Sequence, residues 1–285
     1  MNKLSDEEWF ELNLNPTKTA SERQADIPSM PPAEVQMRFT GRAGRDNLQQ
    51  AFDFYRFVLA HCSADEVTHH SVLDFGGGWG RILRFFLREF PANQLLLADC
   101  LTEAVECARS LNPPFTVLHS SVTPPLPLPE KSVGVCYAFS VFSHLSESAS
   151  RDWLAHLGTL LVDGGKLIIT TRGKKQIAHV RHLSRQRSLR DRLRSLFGSN
   201  PVTLNDNLSQ FLPPAYVIEQ RRDDGVFQFY PTGGGGELDA QFYGETWIPE
   251  AWIKDNCGDW GFSGYQTFEE FQTIDQQVYI LTKSH

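Results

Sequence analysis

The sequence predicts an α/β protein built on an open, mostly parallel β-sheet with helices on both faces. Short apolar runs alternate with segments of helical periodicity over residues 71–171. Two of the runs, LLLA at 95–98 and LIIT at 167–170, are almost continuously apolar, which is typical of strands covered on both sides. Two more strand patterns near the C-terminus predict a closing hairpin. Ligands of such sheets bind beyond the carboxyl ends of the strands, so the residues after each strand are the candidates for a site.

The composition is that of an ordinary globular protein. With 285 residues, 41% hydrophobic and 21% charged, the chain suits one or two domains with a sizeable core. The N-terminus MNKLSDEEWFELNLN is acidic and polar, so we expect neither a signal nor a transit peptide, and no apolar run is long enough to cross a bilayer. Five scattered cysteines without a CxxC pair favour a cytoplasmic location.

The predicted elements follow in chain order. Residues 1–45 are predicted to form an irregular arm, because three prolines fall between 28 and 32 and periodicity is weak. A helix is predicted after Asp46, since Leu48, Phe52, Tyr55 and Leu59 share one face. The remaining elements of this region are predicted strands at 71–75, 94–99, 115–119, 133–139 and 166–171, and predicted helices at 81–90, 102–111 and 151–161.

The pattern changes after Arg172. Residues 173–245 contain a basic stretch, a proline-rich step and the loop GGGG, and they are predicted to be a helical and loop insertion. A short helix at 249–256 and strands at 262–271 and 277–282 follow. The chain is therefore interpreted as an arm, 1–45, and one domain, 46–285, with the insertion at 173–245.

A glycine loop follows the first strand in VLDFGGGWGRILRFF, residues 72–86. A dinucleotide fingerprint requires another glycine three residues after Gly78, on the helix, but Arg81 stands there. Asp74 would repel a pyrophosphate and would favour a cation. The pattern therefore favours S-adenosylmethionine, which has a sulfonium and no phosphate, over NAD. Asp99, at the end of the second strand, can bind ribose hydroxyls in either ligand.

The segments VLDFGGGWGRILRF, LLLAD, PPLPLPEKSVGVCYAFSVFSHLSE and LLVDGGKLIITTRG together resemble the class I S-adenosylmethionine-dependent methyltransferases. They are most similar to bacterial small-molecule or glycan-associated members whose first motif is DFGxGWGR. The resemblance covers residues 37–172 and extends weakly to the C-terminus. It implies a Rossmann-like sheet of seven strands with the last strand antiparallel, and an enzyme of the EC 2.1.1 class. The implied reaction is methyl transfer to a hydroxyl or amine of a small molecule or glycan precursor.

The resemblance also implies a cofactor site at the strand ends. Asp74 and the glycines would line the methionine end, Asp99 would bind the ribose, and the two residues after Asp99 would pack on the adenine. The full predicted set is Asp74, Gly76, Gly77, Gly78, Asp99, Cys100, Leu101, Ser121, Val122, Phe139 and Ser140. Two positions depart from the family pattern. Ser121 and Val122 stand where relatives carry an acid for the adenine amino group, and Gly134 replaces a usual aspartate.

Methyl transfer from a sulfonium is an in-line displacement that depends mainly on alignment and exclusion of water. A general base helps when the acceptor is a hydroxyl or a protonated amine. His144, after the fourth strand, is the candidate base, although it could instead order the loop before the next helix. Tyr243, Glu245 and Trp247 are candidates for the substrate pocket, with ordinary packing as the alternative. No metal is expected, because His69, His70 and His119 lack zinc spacing.

The basic stretch holds eight basic residues and one acid between Lys174 and Arg194, while the remainder of the chain has a net charge of -14. One hypothesis is a helix over 174–197 that attracts an anionic substrate or touches anionic lipid; the other is a solvated helix against an acidic body. NPPF at 112–115 matches a signature of DNA adenine methylation, but it precedes a strand rather than following the fourth, so no DNA recognition is expected. A non-catalytic binding protein with this fold stays open as an alternative.

Overall fold

A computed structural model describes residues 4–16, 27–62, 69–182, 211–269 and 273–285. Seven strands form one sheet and two form a small separate ribbon. The strands are β1 (Ser71–Phe75), β2 (Leu95–Asp99), β3 (Thr116–His119), β4 (Val133–Ala138), β5 (Leu161–Thr171), β6 (Gln228–Pro231), β7 (Gly244–Trp247), β8 (Phe262–Phe268) and β9 (Gln277–Lys283). The sheet order is β3-β2-β1-β4-β5-β9-β8, and β6 pairs with β7.

The sheet confirms the predicted fold. Strands β1 to β5 are parallel, whereas β9 runs antiparallel between β5 and β8. The chain starts in the middle of the sheet at β1, moves outward through β2 to β3, and then returns to the other side of β1 at β4. This reversal opens a crevice beyond the carboxyl ends of β1 and β4, which is where open α/β sheets bind ligands.

Helices cover both faces of the sheet. They are α1 (Asp6–Leu14), α2 (Ala33–Thr40), α3 (Gly44–His61), α4 (Leu83–Phe86), α5 (Thr102–Ser110), α6 (Glu147–Leu160), α7 (Ala215–Asp223) and α8 (Glu250–Asn256), and residues 174–182 are also helical. Successive side chains of β1 point to opposite faces of the sheet. Val72 packs in the core shared with α1, α3 and α4, and Leu73 and Phe75 pack in the core shared with α6 and α8. None of the described helices is both long and apolar enough to cross a bilayer.

The described residues of the N-terminal arm, 4–16 and 27–45, contain the helices α1 and α2, whereas the sequence predicts an irregular chain. Helix α1 begins with a capping box, in which the Ser5 hydroxyl and the Glu8 carboxylate bind each other's backbone N–H groups. The Trp9 indole donates to the carbonyl of Phe85 at 3.0 Å. The fully buried Arg84 guanidinium donates to the Asn13 side chain at 3.1 Å and to backbone carbonyls of residues 28 and 29. These contacts fix the arm to the domain.

Several other predicted elements differ in extent; the helix predicted at 151–161 is α6, and the strand predicted at 262–271 is β8. The helix predicted at 81–90 is only α4 in the structure, because hydrogen bonds of three-residue spacing, such as Phe85 N–H to Ile82 O and Glu89 N–H to Phe86 O, alternate with bonds of four-residue spacing, such as Phe90 N–H to Phe86 O. Strand β5 starts at Leu161, five residues before the prediction, through an irregular register with β4. Residues 183–210, which hold most of the basic stretch, lie outside the described residues. The proposed domain limits at 45 and the insertion at 173–245 stay predictions.

Candidate active site

A cavity of about 780 Å³ opens at the carboxyl ends of the parallel strands. All eleven residues predicted for the cofactor line it, from Asp74 and the three glycines after β1 to Asp99, Cys100 and Leu101 after β2, Ser121 and Val122 after β3, and Phe139 and Ser140 after β4. His144 and Tyr243 line it as well. The structure therefore brings together residues that are up to 169 positions apart in the sequence, from Asp74 to Tyr243.

The glycine loop needs glycine for two different reasons. At Gly76 a Cβ atom would lie 2.3 Å from Val141 Cγ2, so a side chain would collide with the loop after β4. At Gly78 a Cβ would meet nothing within 4 Å, but the backbone has φ +58, which favours glycine. The open space at Gly78 is part of the cavity and leaves the backbone accessible to a ligand.

Asp99 organises the loop from the neighbouring strand. Its two carboxylate oxygens each accept one backbone hydrogen bond at 2.9 Å, Oδ2 from Gly78 and Oδ1 from Leu101. Burial raises the pKa of Asp99, and the backbone hydrogen bonds oppose that rise. Because each carboxylate oxygen can accept more than one bond, Asp99 retains acceptor capacity toward the cavity.

Asp74 is a buried carboxyl with an unsatisfied oxygen. The residue is 1% exposed, and its Oδ2 atom has no hydrogen-bond partner. Burial raises the pKa of Asp74 to about 7, and the Asp99 charge adds to this, while the Tyr137 phenol and the Arg81 guanidinium oppose it. The Tyr137 hydroxyl also lacks a partner of hydrogen-bond geometry. A cationic ligand group would stabilise the ionised form of Asp74.

Arg81, at the position of the missing third glycine, is a structural link to α3. Its buried Nη1 donates to the carbonyl of Asn47 at 3.0 Å, to Asn47 Oδ1 at 3.1 Å and to Gln50 Oε1 at 3.0 Å. The guanidinium also lies 5.3 Å from the centre of the Phe139 ring. Burial lowers the pKa of Arg81 to about 10, an effect that Asp74 opposes. Helix α4 begins only at Leu83 and has four residues, so no long helix follows the glycines directly.

The end of the cavity near β3 contains hydroxyl groups rather than an acid. Ser120 lines the cavity beside Ser121, and its backbone N–H donates to the Asp99 carbonyl at 2.9 Å. The Val122 carbonyl accepts the Trp153 indole N–H at 3.1 Å, which fixes this loop on α6. The GGGG loop approaches from the other side, where Thr102 donates to Glu237 at 2.9 Å.

Ser140 has a left-handed backbone, with φ +62, which is uncommon for a residue other than glycine. Its N–H donates to Thr170 Oγ1 at 2.7 Å, and its hydroxyl accepts from Gln276 Nε2 at 2.8 Å. The Ser140 hydroxyl is also 3.1 Å from the Ser143 hydroxyl. Contacts from β5 and from the segment before β9 thus hold this conformation.

His144 is oriented by two contacts with the segment before and at the start of β7. Its Nδ1 lies 2.8 Å from the Gly244 carbonyl, so Nδ1 carries the proton and Nε2 is an acceptor. Its ring stacks on Tyr243 with centroids 4.8 Å apart and planes at 6°. Burial and the nearby Arg172 lower the pKa of His144 to about 4, although 21% of the side chain is still exposed. His144 is therefore neutral at pH 7.

Arg172, directly after β5, forms an ion pair with the buried Glu245. Burial raises the pKa of Glu245, and Arg172 opposes the rise. The guanidinium lies 5.5 Å from the centre of the Trp247 ring. Trp247 is 1% exposed and does not line the cavity, so the structure does not bring this predicted substrate residue to the site. Glu245 lies behind Arg172 and does not line it either.

Several lining residues were missed by the sequence prediction. They come from the arm (Phe39, Thr40, Arg42), from α3 (Gln50), from the segment after β5 (Arg172, Lys175, Gln176, His179) and from the segment before β9 (Asp275, Gln276). Arg172 could have been found, because it follows a strand as Asp99 does. The others carry no local signal and reach the cavity only through tertiary packing.

Residues 72–165 match the family model described as a methyltransferase domain. The match runs from β1 into β5 and therefore includes the residues after β1, β2, β3 and β4 that line the cavity. It covers about a third of the chain. No curated protein matches this chain.

Solved structures agree on the fold. An amino pentose methyltransferase from Micromonospora echinaspora, CalS10, solved with bound S-adenosylmethionine and involved in calicheamicin biosynthesis, is similar with a TM-score of 0.51 and 14% identity, over 90% of this chain and 98% of that one. DesVI of Streptomyces venezuelae is similar with a TM-score of 0.51 and 12% identity, over 90% of this chain and 100% of that one. At such low identity these similarities establish the class I methyltransferase fold.

Proposed function

We propose that the protein transfers a methyl group from S-adenosylmethionine to a hydroxyl or amine of a small molecule or glycan precursor, as an enzyme of the EC 2.1.1 class. The observation that carries the proposal is the pair of buried carboxyls, Asp74 and Asp99, on either side of an open glycine backbone at Gly78. The methyltransferase domain match over residues 72–165 supports it independently.

The residues fit the cofactor on structural grounds. Asp74 has an unsatisfied oxygen at the end of the cavity where the ammonium of the amino-acid tail would lie, and the Gly78 backbone leaves room for that tail. Asp99 is held by two backbone N–H groups and has acceptor capacity for ribose hydroxyls. Cys100, Leu101, Ser121 and Val122 would surround the adenine. Ser121 and Val122 stand where relatives carry an acid, and Ser120 and Ser121 line this part of the cavity.

When bound, the cofactor supplies an electrophilic methyl group attached to a sulfonium, and the remaining sulfur becomes a neutral thioether. His144 acts as the base in the proposed reaction, because its Nε2 has a lone pair and its ring is fixed by Gly244 and Tyr243. With a pKa of about 4 it is a weak base, so it would accept the proton as the acceptor O–H or N–H becomes acidic during transfer. The rings of Phe139, Phe242 and Tyr243 would exclude water from the acceptor.

The alternatives have less support. A dinucleotide would place a pyrophosphate against the buried Asp74, and the four-residue helix α4 offers no strong positive terminus. A non-catalytic binding protein would share the cofactor cavity but would not need the fixed His144. A cytoplasmic location belongs to the proposal and is supported by five free thiols. A bacterial origin rests on the resemblance of the first motif.

Calorimetry with S-adenosylmethionine, S-adenosylhomocysteine and NAD tests the proposal. We expect micromolar binding of the first two and none of NAD. Binding of NAD alone would contradict the cofactor assignment. Incubation with S-adenosylmethionine and a panel of hydroxyl and amine acceptors, with S-adenosylhomocysteine release as the readout, then separates an enzyme from a binding protein.

A further inference from the structure

Glu245 is a buried carboxylate that the proposed mechanism does not use. The residue is 6% exposed and does not line the cavity, although the sequence made it a candidate for the substrate pocket. Its Oε2 atom pairs with Arg172 Nη2, and its Oε1 atom lies 3.8 Å from His144 Nδ1. One carboxylate therefore faces both the candidate base and a neighbouring cation.

Backbone hydrogen bonds on both sides of Glu245 fix its position relative to His144. On one side, Gly244 at the start of β7 donates its N–H to the His144 carbonyl at 2.7 Å, and its carbonyl accepts from His144 Nδ1 at 2.8 Å. On the other side, the Thr246 N–H donates to the Ser143 carbonyl at 2.9 Å. The approach of the Glu245 carboxylate to the imidazole is thus part of the fold around β7.

Three ionisable side chains of the described part of the chain surround the His144 ring: Tyr243, Arg172 and Glu245. Burial raises the pKa of Tyr243 to about 12, so its phenol is neutral at pH 7. Burial lowers the pKa of His144, and the positive charge of Arg172 lowers it further. Burial raises the pKa of Glu245, whereas Arg172 favours its ionised form. The charges that act on His144 are therefore those of one ion pair.

The two members of this ion pair have opposite effects on a base at position 144. Accepting a proton turns His144 into an imidazolium, whose charge would be repelled by Arg172. A negative charge within about 4–6 Å stabilises the charged form of an imidazole, and the Glu245 carboxylate lies closer than that to Nδ1. Without Glu245, the guanidinium of Arg172 would oppose proton transfer and nothing on this side of the ring would offset it among the described residues.

We infer that Glu245 is a positioning residue of the proposed reaction, which offsets the charge of Arg172 and stabilises the imidazolium that forms when His144 accepts a proton. The inference rests on the proposed function, since it takes His144 as the base. The proton moves from the oxygen or nitrogen of the methyl acceptor to His144 Nε2, while Glu245 keeps its charge and touches neither the acceptor nor the cofactor. If Glu245 only anchored Arg172, its charge would not affect the reactivity of His144.

Diethyl pyrocarbonate tests this inference without a methyl acceptor, because it acylates a neutral imidazole nitrogen and places positive charge on the ring at pH 7. The rate of modification of His144 in the whole protein is followed by peptide mass spectrometry, with the exposed His69, outside the cavity, as the internal reference. Glu245→Gln should slow the modification of His144 about tenfold, because the charge of Arg172 is then uncompensated. Glu219→Gln is the matched control. It breaks the ion pair of Glu219 with Arg181 outside the cavity and should leave the rate unchanged.

A second comparison carries the test if Glu245→Gln does not fold with Arg172 unpaired. Arg172→Gln and the double variant Arg172→Gln/Glu245→Gln both lack the guanidinium and differ only in the carboxylate. His144 should react about tenfold faster in Arg172→Gln than in the double variant, which should stay within about twofold of the wild type. Equal rates in these two variants, or an unchanged rate in a folded Glu245→Gln, would overturn the inference. Calorimetry with S-adenosylhomocysteine on the same samples shows separately whether the proposed function fails.

Discussion

The cofactor end and the acceptor end of the cavity are assembled in different ways. The part of the cavity proposed for the cofactor, here called the cofactor end, comes mainly from residues 74–122, in which each strand is followed by residues that line the site, and Phe139 and Ser140 after β4 complete it. The rest of the cavity, here called the acceptor end, is lined by residues from the arm, the loop after β4, the segment after β5, the segment between the GGGG loop and β7, and the segment before β9. We therefore expect changes at the first end to alter cofactor binding, and changes at the second end to alter turnover with cofactor binding intact.

The largest effect is expected at His144. His144→Gln keeps a side-chain donor for the Gly244 carbonyl but removes the Nε2 acceptor, so kcat should fall on the order of a thousandfold with any acceptor that the wild type methylates. The affinity for S-adenosylhomocysteine, measured by calorimetry, should stay within about twofold.

The pH profile sharpens this prediction. The pKa of His144 is lowered to about 4, so the unprotonated base is present above that pH and is lost as pH falls through it. The part of kcat that depends on His144 should therefore be flat from pH 6 to pH 9. Unchanged kcat in His144→Gln would leave His144 with only its role in ordering the loop.

The second-largest effect is expected at the cofactor end, on cofactor affinity. Asp99→Ala removes the acceptor for the Gly78 and Leu101 N–H groups and for the proposed ribose contact, so the affinity for S-adenosylhomocysteine should fall roughly a hundredfold. Asp163→Ala, at an exposed residue that pairs with Lys131 outside the cavity, is the matched control and should bind normally. Equal affinity in both variants would contradict the division of the cavity.

A smaller, pH-dependent effect is expected at Asp74. Its pKa is about 7, so the carboxyl is mostly protonated below that pH, and a cationic ligand must displace the proton. The affinity for S-adenosylmethionine should rise from pH 5.5 to pH 7 by up to about tenfold per unit and then level off. Calorimetry at several pH values measures this slope.

Asp74→Asn provides the control for that titration. The variant resembles the protonated wild type at every pH, so its affinity should match the low-pH value and should not vary in this range. A wild-type slope that persists in Asp74→Asn would assign the titration to another group.

The same contrast explains what the sequence can predict. The sheet and the cofactor end follow from patterns within a few residues, such as an apolar run followed by Asp74 and glycines, and the structure confirms the predicted fold. Helix α1 also had a local signal, since Ser5 and Glu8 have the spacing of a capping box, but the prolines beyond it led to the prediction of an irregular arm. Arg42 and Asp275 had no such signal, because only the tertiary fold brings them to the cavity.

The smallest effect is expected at Ser140, where the two ends meet. Ser140→Gly and Ser140→Ala both lose the hydroxyl contact with Gln276, and they differ mainly in tolerance of φ +62. The glycine variant should be more stable by about 1 kcal/mol in urea unfolding, because a left-handed backbone is strained for alanine. At the exposed Ala155 in α6, alanine should instead be more stable than glycine, and Ala155→Gly should lower the free energy of unfolding by about 1 kcal/mol. If alanine were more stable than glycine at position 140 as well, the contact of the Ser140 backbone with Thr170, rather than its φ angle, would determine the stability at that position.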